Sequence, residues 1–136
     1  MGFEEIEHTA DWALRVWADD LEGLFAEAAR GMNALSGAHL AEGPQVKRSF
    51  AAQSADAESL LVAFLSELVY YAEQEHLMFE GFQVSMFEGS QGWTLKAEMS
   101  GAPLKLSNKA IKAVTYHNLK IRQTARGYEV EIVFDV

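Results

Sequence analysis

Two stretches of the chain repeat apolar residues every three or four positions, which predicts two amphipathic helices. The first stripe is Leu21, Leu24, Phe25, Ala28, Ala29, Met32 and Leu35, and the second is Leu60, Leu61, Phe64, Leu65, Leu68, Val69 and Ala72. Asp19 or Asp20 is suited to cap the first helix and Gly37 to end it. Ser54 or Asp56 is suited to cap the second helix.

Most of the remaining chain alternates apolar and polar residues with the period of a β-strand. The predicted strands cover residues 3–8, 12–18, 46–53, 82–87, 93–99, 113–121 and 128–136. Residues 89–92 have the composition of a four-residue hairpin loop, and residues 124–127 form the turn before the last strand. This order indicates one two-layer α+β domain over residues 1–136, with an antiparallel-rich sheet covered on one face by both helices. The order of the strands stays open.

Composition narrows the class of protein. Asp and Glu number 20 against 11 Lys and Arg, which gives a net charge of −9 and disfavours strong direct binding of RNA or DNA. The chain has no cysteine, which excludes thiol catalysis and thiolate zinc sites and fits a cytoplasmic location. It shows neither a secretory leader nor an apolar run of about 18 residues, so we expect no membrane segment.

The chemistry-bearing residues form no Gly-rich phosphate loop, nucleophile elbow or zinc-protease histidine pair. Asp135 lies in an apolar run beside Val136, whose terminal carboxylate is within reach. If the strand beginning at Trp12 pairs with the last strand, Asp11 completes a three-carboxylate cluster suited to Mg²⁺, Ca²⁺ or Mn²⁺. The simpler interpretation is that Asp135 solubilises a strand end and that Asp11 is a turn or cap residue.

One basic concentration stands out in this acidic chain. It comprises Lys109, Lys112, Lys120, Arg122 and Arg126, with Tyr116, His117 and Asn118 among them. Such a cluster accepts phosphate or faces a partner, although a solvated face is the more common role. The negative faces elsewhere fit a basic protein surface, such as that of a nucleic-acid enzyme.

Several short motifs, taken together, resemble the archease family over essentially the whole chain. They are His-Thr-Ala-Asp at 8–11, Leu-x-x-Leu-Phe-x-x-Ala-Ala at 21–29, Lys-Ala-Val-Thr-Tyr-His at 112–117, and Phe-Asp-Val at 134–136. The resemblance implies a small α+β accessory protein with no catalytic residues of its own. Its partner would be the GTP-dependent RNA ligase that joins 2′,3′-cyclic phosphate or 3′-phosphate ends to 5′-hydroxyl ends in tRNA splicing and RNA repair. It would promote guanylylation of that ligase and so allow multiple turnovers.

The resemblance also implies a site. Asp11, Asp135 and the terminal carboxylate of Val136 would hold a divalent cation, Ca²⁺, Mg²⁺ or Mn²⁺. Lys112 would lie at the ligase interface or near the nucleotide phosphates, with His8 and His117 close by. The protein would be a monomer or a weak oligomer.

This chain departs from many archeases before residue 112. It reads Gly101-Ala102-Pro103 and then Ser107-Asn108, where a Gly-Glu pair and a further His are common. The roles of that glutamate and histidine therefore do not transfer.

The alternative function is a metal-binding interaction module or a general chaperone. A metal-dependent hydrolase has the least support, because no nucleophile or poised base accompanies the carboxylates.

Overall fold

The computed structural model describes residues 1–6, 12–106 and 110–136 of the protein. The elements in chain order are β1 (Gly2–Ile6), β2 (Trp12–Ala18), α1 (Leu21–Ser36), β3 (His39–Leu40), β4 (Val46–Ser54), α2 (Ala57–Gln74), β5 (Leu77–Gly89), β6 (Gly92–Leu106), β7 (Ala113–Val114), β8 (Arg122–Thr124) and β9 (Gly127–Asp135). Within these ranges, no helix combines the length and apolar character that a membrane crossing requires.

The strands of the described residues pair antiparallel and form two sheets. In the first sheet, β2 lies between β1 and β9, and the other edge of β9 pairs with both β7 and β8. In the second sheet, β6 lies between β4 and β5, and its last residues pair with β3. The α+β class with antiparallel pairing is confirmed. The strands nevertheless form two sheets instead of one, because none of β3 to β6 pairs with a described strand of the first sheet.

One hydrophobic core joins both helices to both sheets. Its largest fully buried side chains include Phe25 of α1, Phe64 of α2 and Phe134 of β9. Among the described residues, no polar or charged side chain is buried. The ionisable groups that can do chemistry therefore lie at the surface of this part of the chain.

Both helices begin where the sequence predicts, and the first also ends there. The Asp20 carboxylate accepts the Gly23 N–H at 2.7 Å, and the Asp56 carboxylate accepts the Ser59 N–H at 2.7 Å. Gly37 ends α1 in the left-handed conformation, with φ of 66°. These local contacts satisfy backbone groups that a helix end leaves free, which is why single residues mark the ends reliably.

Replacing Asp20 with Ala is expected to lower the free energy of unfolding by about 1 kcal/mol, because the substitution removes the N-cap acceptor of α1. Asp19→Ala is the matched control, since Asp19 is an exposed neighbour outside the cap. Urea unfolding of both variants at one pH measures the difference. Equal losses in the two variants would show that the cap contributes nothing specific.

The hairpin between β5 and β6 is tighter than predicted. Gly89 pairs with Gly92, so the loop has only the two residues Ser90 and Gln91 instead of four. Gly92 has φ of 112°, and a Cβ there would overlap the carbonyl oxygen of Ser54. The glycine lets the chain turn tightly while passing close to the end of β4.

Both hairpin strands are also longer than the predicted 82–87 and 93–99. The register shifts between Phe79 and Gly81, which marks a bulge in β5. A bulge interrupts the alternation of apolar and polar residues on which strand prediction depends. The alternation therefore predicts only the part of β5 between the bulge and the hairpin loop.

The predicted strand 113–121 is wrong in extent. Only Ala113 and Val114 form a strand there, and the chain then turns before pairing again as β8. Asn118 has φ of 51°, and the Leu119 N–H donates to the Tyr116 carbonyl at 3.1 Å. A left-handed residue inside the turn at 117–118 is incompatible with one extended strand from 113 to 121. The short strand β3 has no counterpart in the prediction.

Candidate functional site

The last strand organises the candidate site. β9 pairs with β2 so that Phe134 lies opposite Trp12, which confirms that the strand beginning at Trp12 is a neighbour of the C-terminal strand. On the opposite edge, Phe134 pairs with Val114 and Asp135 pairs with Ala113. Asp135 is exposed at the end of β9, beside two other strands of the sheet. A carboxylate there remains accessible to solvent and to partners.

The predicted ligands are only partly covered by the structure. His8 and Asp11 lie outside the described residues, so their predicted roles stay predictions. Across the part of the chain that is described, no three Asp, Glu or His side chains are grouped to hold a metal ion. Of the three predicted cation ligands, the structure describes Asp135 and Val136.

Lys112 and Asp135 are brought together although 22 residues separate them in the chain. The backbone N–H of Lys112 donates to the backbone carbonyl of Asp135 at 2.8 Å. Both residues are exposed. The Lys112 ammonium group and the Asp135 carboxylate thus extend from neighbouring backbone segments at the same end of the sheet. This end of the sheet carries one positive and one negative group.

The segment after Lys112 is fixed along the edge of β9. The N–H and the hydroxyl of Thr115 both donate to the Val133 carbonyl, each at 3.0 Å. The same hydroxyl oxygen accepts the His117 N–H at 3.3 Å. His117 is exposed, and its Nε2 lies 3.3 Å from the Asn118 side-chain nitrogen. Among the described residues, no hydrogen bond or ion pair joins His117 to Lys112 or Asp135, so the histidine belongs to the neighbouring turn.

Sequence reasoning missed an apolar groove beside Lys112. The groove has a volume of about 510 Å³, and its walls include Leu68 of α2 and Phe79 of β5. Residues 110–112 form another wall, so Lys112 stands between the groove and Asp135. The lining comes from elements far apart in the chain, and no local pattern signals it.

Comparison with known proteins agrees with this architecture. The model of the Archease protein family (MTH1598/TM1083) matches residues 3–136. The archease proteins of Methanopyrus kandleri and Methanosarcina mazei are each 34% identical to the chain over 140 residues. The first alignment covers 100% of both proteins, and the second covers 98% of the chain and 95% of the relative. The solution structure of Methanobacterium thermoautotrophicum protein 1598 has a TM-score of 0.75, 26% identity and coverage of 99% of both chains.

The fold and the site define a small α+β protein whose C-terminal strand presents an exposed Asp beside an exposed Lys. The family match extends over nearly the whole chain, and the relatives are similar along their full length. The chain belongs to the archease family. The resemblance seen in its motifs is therefore confirmed.

Proposed function

We propose that this protein is an accessory activator of a GTP-dependent RNA ligase, acting in tRNA splicing and RNA repair. The observation that carries the proposal is the pairing of β7 with β9, which sets Lys112 beside Asp135 in a chain that the archease family model matches from residue 3 to residue 136. The resemblance assigns Asp135 to the cation site and Lys112 to the ligase interface or the nucleotide phosphates. The protein promotes guanylylation of the ligase without catalysing the ligation itself, and it works in the cytoplasm with its partner.

The proposed cation site consists of Asp11, Asp135 and the carboxylate of Val136. Asp135 fits such a site because its carboxylate oxygens are hard donors on an exposed strand end, where charge carries little desolvation penalty. A bound Ca²⁺, Mg²⁺ or Mn²⁺ would neutralise negative charge on phosphate oxygens. The Lys112 N–H donates to the Asp135 carbonyl, and this bond fixes the backbone from which the Asp135 carboxylate extends.

Lys112 supports the proposal from the neighbouring strand. Its exposed ammonium group is suited to a carboxylate of the ligase or to a nucleotide phosphate. The groove beside it adds an apolar surface on the same side of the site. His8 and His117 are the proposed flanking groups, with His117 positioned by the Thr115 hydroxyl.

The test is RNA ligation by the cognate ligase with RNA in large excess, in the presence of GTP and Mg²⁺ or Mn²⁺. Without this protein, product is expected to stop at about one turnover per ligase, and with it product continues to form. A separate reaction without RNA measures the guanylylated ligase directly. If the protein changes neither reaction, the activator function is wrong and an interaction module or chaperone becomes the working function.

Replacing Lys112 with Ala is expected to slow ligase guanylylation by roughly ten- to a hundred-fold, which corresponds to one lost hydrogen bond to a charged group, about 1.5–3 kcal/mol. The fold is retained, because Lys112 is exposed and its described bond to β9 comes from the backbone. Lys47→Ala is the control, since Lys47 is an exposed lysine of β4 in the other sheet. Equal guanylylation rates for the two variants would remove Lys112 from the site.

A further inference from the structure

A second concave surface lies along the first half of β9, away from Asp135. It has a volume of about 850 Å³, and its lining comes from β2, the turn after β7, β8 and β9. Glu129, in its lining, is six residues before Asp135, or about 20 Å along an extended strand. We call this surface the basic cleft because four cationic side chains line it: Arg15, Lys120, Arg122 and Arg126.

The charge of the cleft is opposite to that of the whole chain. Two carboxylates, Glu129 and Glu131, line it against the four cations, whereas the chain as a whole carries −9. Arg126 lies 3.6 Å from Glu129, and Arg15 lies 3.8 Å from Glu131. Arg15 also forms a shorter pair with Glu4 of β1 at 2.9 Å, so it is the most fully neutralised of the four cations, whereas the longer exposed pair leaves Arg126 weakly held.

Two of the cations have no acidic partner in the described part of the chain. Neither Lys120 nor Arg122 forms an ion pair there, although Arg122 is opposite Glu129 in the strand register. Both side chains are exposed. The cleft therefore carries unpaired positive charge in a protein that is otherwise strongly acidic. Such local positive charge attracts an anionic ligand.

Two contacts fix parts of the cleft, the Arg126 side chain and the backbone at Ile121. The Arg126 guanidinium lies over the Trp17 ring, 4.3 Å from its centroid. The Ile121 N–H donates to the Glu58 carboxylate of α2 at 3.0 Å, which fixes the chain between Lys120 and Arg122. The Arg126 side chain and the backbone between Lys120 and Arg122 are thus positioned before any ligand binds, which lowers the ordering cost of binding.

We propose that the basic cleft binds phosphate groups of the RNA strand on which the ligase acts. Guanidinium groups match phosphate oxygens with two parallel hydrogen bonds, and Lys120 adds a point charge. Tyr116, in the same turn, is 60% exposed and offers a ring for base stacking. The inference rests on the proposed function, because the net negative charge keeps RNA affinity low unless the ligase holds the strand nearby.

The decisive variant is Lys120→Glu/Arg122→Glu, with Lys120→Gln/Arg122→Gln as a milder form that avoids placing two glutamates opposite each other. Lys47→Glu/Lys96→Glu is the control, because it makes the same charge change on exposed lysines of the second sheet. Guanylylation without RNA and the KM for RNA in ligation are measured for each variant. Thermal unfolding checks that all variants fold.

We expect the cleft variants to leave guanylylation at the wild-type rate and to raise the KM for RNA by about ten-fold. The slope of log KM against log salt should fall by about 1.4, which corresponds to two lost phosphate contacts with a single strand. The control variant should match the wild type in both readouts. A KM equal to that of the control would overturn the proposal.

Two further results separate this proposal from its competitors. If the cleft variants weaken ligase binding in calorimetry without RNA, the cleft docks an acidic protein surface and the RNA assignment is wrong.

If the wild-type protein fails to stimulate guanylylation, the proposed function fails, and titration of the protein alone with single-stranded RNA at low salt still tests the cleft. Amide shifts confined to residues 118–126 would then support RNA binding, and their absence would overturn it.

Discussion

Replacing Asp135 with Asn is expected to abolish activation of the ligase while leaving the protein folded. The Asp135 carboxylate is exposed and forms no hydrogen bond or ion pair with a described residue. Its described contribution to folding is the backbone bond to Lys112, which asparagine retains. The substitution removes one negative charge from the proposed cation site, and cation affinity depends strongly on the number of charged ligands.

Two measurements check this expectation. Calorimetry with Ca²⁺, Mg²⁺ and Mn²⁺ should show affinity lower by at least about ten-fold in Asp135→Asn. Ligase guanylylation should fall to its level without the protein. Glu88→Gln is the matched control, because it neutralises an exposed carboxylate of β5 in the other sheet. A variant that activates normally without binding a cation would show that activation does not depend on the cation, and one that retains both properties would remove Asp135 from the site.

The helices could be predicted closely because the signals that define them are local. The apolar stripes and the cap residues Asp20, Gly37 and Asp56 all act within a few positions of the helix ends. The strands were harder, because their bounds depend on partners. The bulge near Gly81 and the left-handed Asn118 interrupt two strands at points that the alternation alone does not reveal.

The site shows the same division. Asp135 could be singled out from its place in an apolar C-terminal run, and the motif containing Lys112 supplied the family resemblance. Their hydrogen-bonded contact could not be predicted, since it depends on β7 reaching the edge of β9, and strand order is a tertiary property.

The predicted basic concentration proved to be divided between two places. Lys112 lies beside Asp135, whereas Lys120, Arg122 and Arg126 line the basic cleft along the first half of β9, and Lys109 lies outside the described residues. Arg15 joins the cleft from β2, more than a hundred positions earlier in the chain. Lys112 and the later basic residues are close in sequence, but the turn at residues 117–118 separates them in the structure. Strand pairing adds Arg15, which sequence proximity could not indicate.

Replacing Phe64 with Ala is expected to be the most damaging change to stability. Phe64 is fully buried in α2, and its ring centroid lies 6.1 Å from Phe25 of α1, 6.5 Å from Phe50 of β4 and 6.0 Å from Phe82 of β5. One ring thus connects the two helices with the second sheet. Truncating a buried Phe costs about 3–5 kcal/mol, a large share of the roughly 5–15 kcal/mol that stabilises a typical domain.

Urea unfolding of Phe64→Ala and Phe87→Ala tests whether this loss comes from packing. Phe87 lies on β5 but is 60% exposed, so its truncation should change the free energy of unfolding by no more than about 0.5 kcal/mol. Because α2 also supplies Glu58, which anchors Ile121 beside the basic cleft, we expect Phe64→Ala to lose RNA-dependent function at a lower temperature than the wild type. A loss below about 1.5 kcal/mol for Phe64→Ala would mean that the surrounding rings close the cavity, and that the aromatic cluster does not hold the two layers together.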